Sequence, residues 1–172
     1  ITGGSAFNIK AESLRLGNFS AAEIAQLYRQ HTDETGQVFA EGAFAQVWNL
    51  TQGQPWLVNA LGYEACFKMK AGRDRSQPIT VEQIEQAKEN LIQRRETHLD
   101  QLADKLREER VRRVIQPLLA GSELADHFHP DDVAYASDLG LIRQERGSPI
   151  EIANRIYQEV IRCINHGFLF HE

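Results

Sequence analysis

Apolar residues recur at helical spacing along most of the chain, and two segments carry a complete helix-start signal. Ser20 is followed at the third helical position by Glu23, and Thr80 by Gln83. In such a capping box each side chain accepts a hydrogen bond from the other residue's backbone N–H. The pattern therefore predicts helices that begin after Ser20 and Thr80, the first of them ending at Gly36.

Two further helices are predicted between these starts, over Phe39–Gln52 and Trp56–Met69, from apolar residues on one helical face. They meet at a tight corner over Thr51–Trp56. Within it, Gly53 ends one helix because glycine readily adopts the left-handed conformation, and Pro55 suits the first position of the next. Four helices by about Arg95 are enough for a small bundle.

From residue 97 onwards the pattern predicts three helices, a hairpin and a last helix. This is the order of elements in a winged-helix domain with an added C-terminal helix. The signals are apolar stripes over 99–106 and 111–119, a short helix over Asp131–Leu139, strands over 141–145 and 149–153, and a helix capped by Asn154.

The predicted fold is therefore mainly α, a helical bundle followed by a winged-helix domain with a small β-hairpin wing. We expect residues 1–18 to be an extended linker, residues 19–95 the bundle and residues 96–172 the winged-helix-like domain. Residues 8–16 partly alternate between apolar and polar, as a short strand or linker does. Since the chain begins with Ile1 and not Met, we expect it to be a piece of a longer protein.

Composition narrows the class of partner. Of 172 residues, 42% are hydrophobic, which is typical of a folded chain. With 19 basic and 24 acidic residues the formal charge is −5, so no net attraction draws the chain to DNA or to an anionic membrane. No apolar run is long enough to span a bilayer, and Cys66 and Cys163 lie at apolar helical positions. We expect a cytoplasmic protein with two buried thiols and no contact with a membrane.

Basic residues supply the candidate nucleic-acid contacts. Arg110, Arg112 and Arg113 lie on one predicted helix, and Arg143 and Arg146 lie at the predicted wing tip. Glutamates 108 and 109 stand four residues before two of these arginines, a spacing that favours ion pairs along a solvated helix. The helix in the position that reads DNA carries three aspartates, which suit phosphates badly. We therefore expect the winged helix to contact protein, with DNA as a less favoured partner.

The sequence gives only weak indications of a metal site or of a catalytic cysteine. His127 and His129 stand two apart in a polar loop, which favours an exposed loop over a metal site. No acid–base or nucleophile set accompanies either cysteine.

Several segments together resemble one family. They are Asn8-Ile-Lys-Ala-Glu-Ser-Leu-Arg-Leu16, Thr51-Gln-Gly-Gln-Pro-Trp-Leu-Val-Asn-Ala60, Asp138-Leu-Gly-Leu-Ile142 and Ile152-Ala-Asn-Arg-Ile-Tyr-Gln-Glu-Val-Ile161. In this order they resemble the helical lid and winged helix that follow the nucleotide-binding core in bacterial AAA-like P-loop ATPases, of the AAA+/STAND and archaeal-ATPase type. The resemblance covers nearly the whole chain.

The resemblance implies a nucleotide-facing corner and a P-loop core before Ile1. Gly53, Gln54 and Pro55 would then contact ATP or ADP held by that core. The chain has no G-x-x-x-x-G-K-[ST] sequence, so it lacks the backbone cradle, lysine and hydroxyl that hold phosphates and magnesium. It also lacks the arginine that many such lids place after the corner. We expect no ATP hydrolysis from this chain alone.

The resemblance implies one function, and the basic residues point to an alternative. The first is a non-catalytic lid and winged-helix regulatory part of a larger P-loop ATPase, with its own upstream core and other proteins as partners and with some tendency to self-associate. The second is a winged-helix DNA-binding protein with a helical dimerisation or sensing domain.

Overall fold

The chain folds into a mainly helical structure with one two-stranded antiparallel sheet. The computed structural model describes residues 17–94, 97–121, 128–145 and 147–165. The predicted linker therefore lies outside the described residues up to Leu16. The helices are α1 (Ala21–Thr35), α2 (Ala43–Thr51), α3 (Pro55–Tyr63), α4 (Val81–Gln93), α5 (Thr97–Arg107), α6 (Glu109–Leu119), α7 (Pro130–Asp138) and α8 (Arg155–Asn165), and the strands are β1 (Ile142–Arg143) and β2 (Glu151–Ile152).

The predicted helix starts are confirmed. Both capping boxes form, Ser20 with Glu23 ahead of α1 and Thr80 with Gln83 ahead of α4. Gly36 ends α1 in the left-handed conformation, and its N–H donates to the carbonyl of Thr32. These signals are correct because each is satisfied by residues within one turn of the helix end.

The prediction that the second helix begins at Phe39 is wrong by four residues. Gly42 adopts φ +83°, which no regular helix contains, and α2 begins after it at Ala43. Phe39 instead pairs with Ile79 in a parallel bridge, in which the Ile79 N–H donates to Val38 and Ile79 accepts from Ala40. This bridge ties the start of α2 to the start of α4.

The third helix reaches nearly its predicted length but changes its winding. After Tyr63 the chain continues as a π-helical turn over Glu64–Lys68, and a 3₁₀ turn follows over Ala71–Arg73. Glu64 is buried in this turn, where it accepts hydrogen bonds from Asn90 and Arg94 of the α4 end.

The second half has the predicted order of elements, with shorter strands. β1 and β2 pair over two residues each, with Ile142 opposite Ile152 and Arg143 opposite Glu151. α8 closes the structure by packing on α2, α4 and α5. Ile156 and Ile161 of its apolar face are fully buried, so both halves of the chain contribute to a continuous core.

No helix within residues 17–94, 97–121, 128–145 and 147–165 combines the length and the apolar character needed to cross a membrane.

Candidate functional site

The corner over Thr51–Trp56 has the predicted geometry, with one addition. Gly53 adopts φ +75° and Pro55 opens α3. Gln54 precedes that helix, and its Oε1 accepts a hydrogen bond from the Leu57 N–H at 2.8 Å. The addition is Gln52, which also has a positive φ of 48° and is the only non-glycine among the described residues to do so. Two successive left-handed residues turn the chain sharply enough for α2 and α3 to pack together.

The corner holds the segment that enters the structure. The Phe19 N–H donates to the Gly53 carbonyl at 2.8 Å, and Asn18 Nδ2 donates to the Gln52 carbonyl at 3.1 Å. Gly53 is buried against the Phe19 backbone, so that an added Cβ would overlap the Phe19 carbonyl. Of the three predicted nucleotide contacts, Gly53 is therefore covered by the chain itself, whereas Gln54 and Pro55 remain half-exposed.

The corner also contacts the small sheet. Arg143 of β1 donates through Nη1 to Gln52 Oε1 at 2.6 Å and through Nη2 to Glu151 Oε2 of β2 at 2.8 Å. Arg143 thus links the sheet to the end of α2, ninety-one residues earlier in the chain. The corner joins three parts of the molecule: the entering segment, the α2–α3 pair and the sheet.

A cavity of about 440 Å³ lies beside this junction and is called the wing cleft here. It lies between the α2 end, the sheet and the first turn of α8. Its polar lining includes four amides and two guanidinium groups, together with Glu151. Asn154 caps α8 at the cleft, with Oδ1 accepting from the Tyr157 N–H at 2.8 Å. The amide and guanidinium residues are Asn49, Gln52, Asn154, Gln158, Arg143 and Arg155.

The arginines predicted to contact nucleic acid do not form one free surface. Arg110 and Arg113 both bind the buried carboxylate of Asp132, at 3.0 and 3.3 Å. Arg110 also lies over the ring of Tyr135 at 4.4 Å. Arg112 is exposed and has no side-chain hydrogen bond or ion pair with another described residue.

The two arginines predicted at the wing tip differ in what the structure describes of them. Arg143 is engaged by Gln52 and Glu151, and Arg146 lies outside the described residues. The structure therefore brings Arg110 and Arg113 together around a carboxylate and sets Arg143 apart from them at the corner.

The expected ion pairs four residues apart along α6 are wrong in detail. Glu108 precedes the helix, with ψ 128°, and so lies outside its regular spacing. It accepts instead from Lys105 and Tyr135, both at 2.8 Å. Arg113 pairs with Asp132 of α7 in place of Glu109. Packing between α6 and α7 outweighs the local pairing, because a buried carboxylate needs partners more than an exposed one does.

The thiols and histidines offer little chemistry in this structure. Burial raises the pKa of the Cys66 thiol to about 11, an effect that the nearby Arg75 only partly offsets, so the thiol stays protonated at neutral pH. Cys163 is half-buried, less than predicted. His129 caps α7 by accepting from the Asp131 N–H, and His127 lies outside the described residues. The described part of the chain contains no group of three or more side chains suited to a metal ion.

Sequence reasoning missed Gln52 and its contact with Arg143, which connects the site. Gln52 carries no signal, because nothing in its neighbourhood demands a left-handed non-glycine. The sequence predicts Arg143 as a nucleic-acid contact at the wing tip, and its partner Gln52 is too far away in sequence for any spacing rule to find. Asp132 was counted against DNA binding, whereas its actual role is to bind two arginines.

A double-mutant cycle tests whether the contact between Gln52 and Arg143 couples the corner to the sheet. We expect Gln52→Ala and Arg143→Met to show an interaction energy of about 1 to 2 kcal/mol in urea unfolding, as for a hydrogen bond to a charged group. The matched cycle combines Glu151→Ala with Arg143→Met, because Glu151 is the other hydrogen-bond partner of Arg143. Additive losses for Gln52 and Arg143 would show that the contact carries no energy.

Comparisons with protein-family models, with curated proteins and with solved structures gave no match for this chain. Its function must therefore be inferred from the corner, the sheet and the wing cleft themselves.

Proposed function

We propose that this chain is the non-catalytic lid and winged-helix regulatory part of a larger P-loop ATPase. In this proposal residues 19–95 form the lid, residues 96–172 form the winged helix with β1 and β2 as its wing, and a P-loop core precedes Ile1. The corner contacts ATP or ADP bound to that core, and the chain relays the nucleotide state.

One observation supports this proposal above the others: the corner is a junction and not an isolated turn. Gln52 and Gly53 accept hydrogen bonds from Asn18 and Phe19, and Gln52 also accepts one from Arg143. A displacement of the entering segment would therefore act directly on the α2–α3 turn and on the sheet. Such a junction is what a lid needs if it is to move with the core that precedes it.

The residues at the corner can contact a nucleotide only as part of the lid, because the core would hold the nucleotide. Gln54 and Pro55 are half-exposed at the start of α3, where the first helical N–H groups lack helical partners. The Gln54 side chain already caps α3 through Leu57, so its amide nitrogen is the group left for a ligand. The nucleotide itself would supply the γ-phosphate whose hydrolysis changes the contact. The chain's own part is to hold the corner rigid and to transmit its position.

The proposal is tested in the full-length protein with Pro55→Ala and Arg143→Met. We expect Pro55→Ala to change ATP affinity, and Arg143→Met to change the dependence of turnover on nucleotide, each by about fivefold or more, as for typical coupling between sites. Arg112→Ala is the control, because its side chain is exposed and unpaired in the described structure. Unchanged affinity and turnover in both test variants would contradict the proposal.

The alternative function, a DNA-binding winged helix, has less support in the geometry. Arg110 and Arg113 are held by Asp132, and α7 brings Asp131 to the same surface. A fluorescence-anisotropy titration with duplex DNA separates the two functions. We expect no binding at low salt, whereas micromolar binding that weakens steeply with added salt would favour the alternative.

A further inference from the structure

Two residues that line the wing cleft carry buried hydrogen-bond donors without acceptors in the described structure. Asn154 is only 4% exposed. Its Oδ1 must be the atom facing the Tyr157 N–H, because an N–H group can only donate, and this fixes Nδ2 on the other side of the amide. Nδ2 has no partner in the described structure, and neither does the buried Nε of Arg143.

The first turn of α8 adds further donors at the same place. The N–H groups of Arg155 and Ile156 lie at the first two positions of an eleven-residue helix, where the helix itself provides no acceptor. The positive end of the helix dipole lies there too, and it favours a negative charge. The Arg155 guanidinium lines the same cavity.

Three side-chain acceptors of the cleft residues are already engaged. Glu151 is the acidic residue of the lining, and its carboxylate is bound by Arg143. Gln52 accepts through Oε1 from Arg143, and Asn154 accepts through Oδ1 from Tyr157. Among the lining residues two arginines stand against one glutamate, and Arg155 also pairs with Glu159 of α8 at 3.7 Å.

From these observations we propose that the wing cleft is a binding site for an oxyanion, the carboxylate or phosphate group of a small molecule. The oxyanion accepts from Asn154 Nδ2, Arg143 Nε and the first N–H groups of α8. Because Arg143 also contacts Gln52, a bound oxyanion strengthens the link between sheet and corner. The proposal depends on the donors of this cleft and not on the ATPase assignment.

The sharpest test changes one nitrogen and keeps the helix cap. Asn154→Asp and Asn154→Ser both retain an oxygen that accepts from the Tyr157 N–H, since Asp, Asn and Ser are all good N-caps. Asn154→Asp replaces the unpartnered Nδ2 donor with a charged acceptor, and Asn154→Ser removes that donor. Each 172-residue variant is titrated with inorganic phosphate and, separately, with acetate at constant ionic strength, and side-chain and backbone amide NMR shifts are followed.

We expect saturable shifts at Asn154, Arg155 and Ile156 in the wild-type chain, weakened at least tenfold by Asn154→Asp and less by Asn154→Ser. Arg73→Ala, at an exposed arginine that does not line the cleft, should bind as the wild type does. Saturation by phosphate alone identifies a phosphate site, and saturation by acetate alone identifies a carboxylate site. Shifts that do not saturate, or that are equal in the wild type and Asn154→Asp, would overturn the proposal. Nucleotide affinity of the corner plays no part in this measurement, so its outcome is independent of the proposed function.

Discussion

Gly53→Ala is expected to lower the free energy of unfolding by about 3 to 4 kcal/mol, a larger effect than we expect from the other glycine-to-alanine substitution, Gly36→Ala. Two costs add at this position. A φ of +75° is unfavourable for any residue with a Cβ. The Cβ itself would overlap the carbonyl oxygen of Phe19 and would lie only 3.0 Å from the backbone nitrogen of Phe19. Because the obstacle is backbone and not a flexible side chain, relief requires the entering segment to move away from the corner.

Gly36→Ala is the matched control for this prediction. Gly36 has the same φ of +75°, but nothing lies within 4 Å of a Cβ built there. It should therefore show the conformational cost alone, about 1 kcal/mol. Urea unfolding of both variants separates the two contributions. Equal losses at Gly53 and Gly36 would mean that the contact between the corner and Phe19 is not formed.

Lys88→Met is expected to lower the free energy of unfolding by about 2 to 3 kcal/mol. Lys88 of α4 is buried, and its Nζ lies 2.7 Å from Glu159 of α8, 3.0 Å from Glu89 and 3.3 Å from Glu85. Methionine fills the same space but removes the ammonium that three carboxylates share, and it leaves Glu159 only its longer contact with Arg155 at 3.7 Å. Their partial exposure keeps the loss below that of a fully buried ion pair. The pair of Lys88 and Glu159 holds α8, and hence one wall of the wing cleft, against the first half of the chain.

The Lys88 contribution has a defined pH dependence. Burial opposes the charged ammonium, but the hydrogen bonds with Glu159 and Glu89 and the nearby negative charges outweigh it, so the pKa of Lys88 is raised above its usual value. A raised pKa gives stability that is fully present below the unfolded value of about 10.4 and is lost as the pH rises above it. The difference between wild type and Lys88→Met should therefore stay constant from neutral pH to about 9.5 and shrink above about 10.5.

Lys105→Met provides the control for the charge effect. Lys105 also pairs with a glutamate, Glu108, at 2.8 Å, but its side chain is 43% exposed. Such a pair is worth about 0 to 1 kcal/mol. A loss at Lys88 no larger than that at Lys105 would contradict the assignment of Lys88 as a buried link between α4 and α8.

Local signals account for what could be predicted from the sequence. The boxes at Ser20 and Thr80 and the caps at Gly36 and Asn154 each depend on residues within one turn, so their outcome does not depend on the rest of the fold. The corner at Gly53 and Pro55 was found for the same reason. The mainly helical class followed from the spacing of apolar residues.

Contacts between distant residues account for what could not be predicted. Phe39 has the pattern of a helical residue, yet its bridge to Ile79, forty residues later, removes it from α2. The bond between Gln52 and Arg143 and the clamp of Asp132 on Arg110 and Arg113 have no local signature either. The candidate site consists mainly of such contacts, so the sequence indicated the corner but not what the corner holds.

The coding sequence immediately upstream of the Ile1 codon tests the central proposal most directly. The proposal predicts an in-frame core with a strand, a G-x-x-x-x-G-K-[ST] loop and a later strand that ends in an acidic residue, joined to this chain through residues 1–18. Such a core would make the corner the lid side of a nucleotide site. A start codon just before Ile1, with no core of this kind, would contradict the proposal.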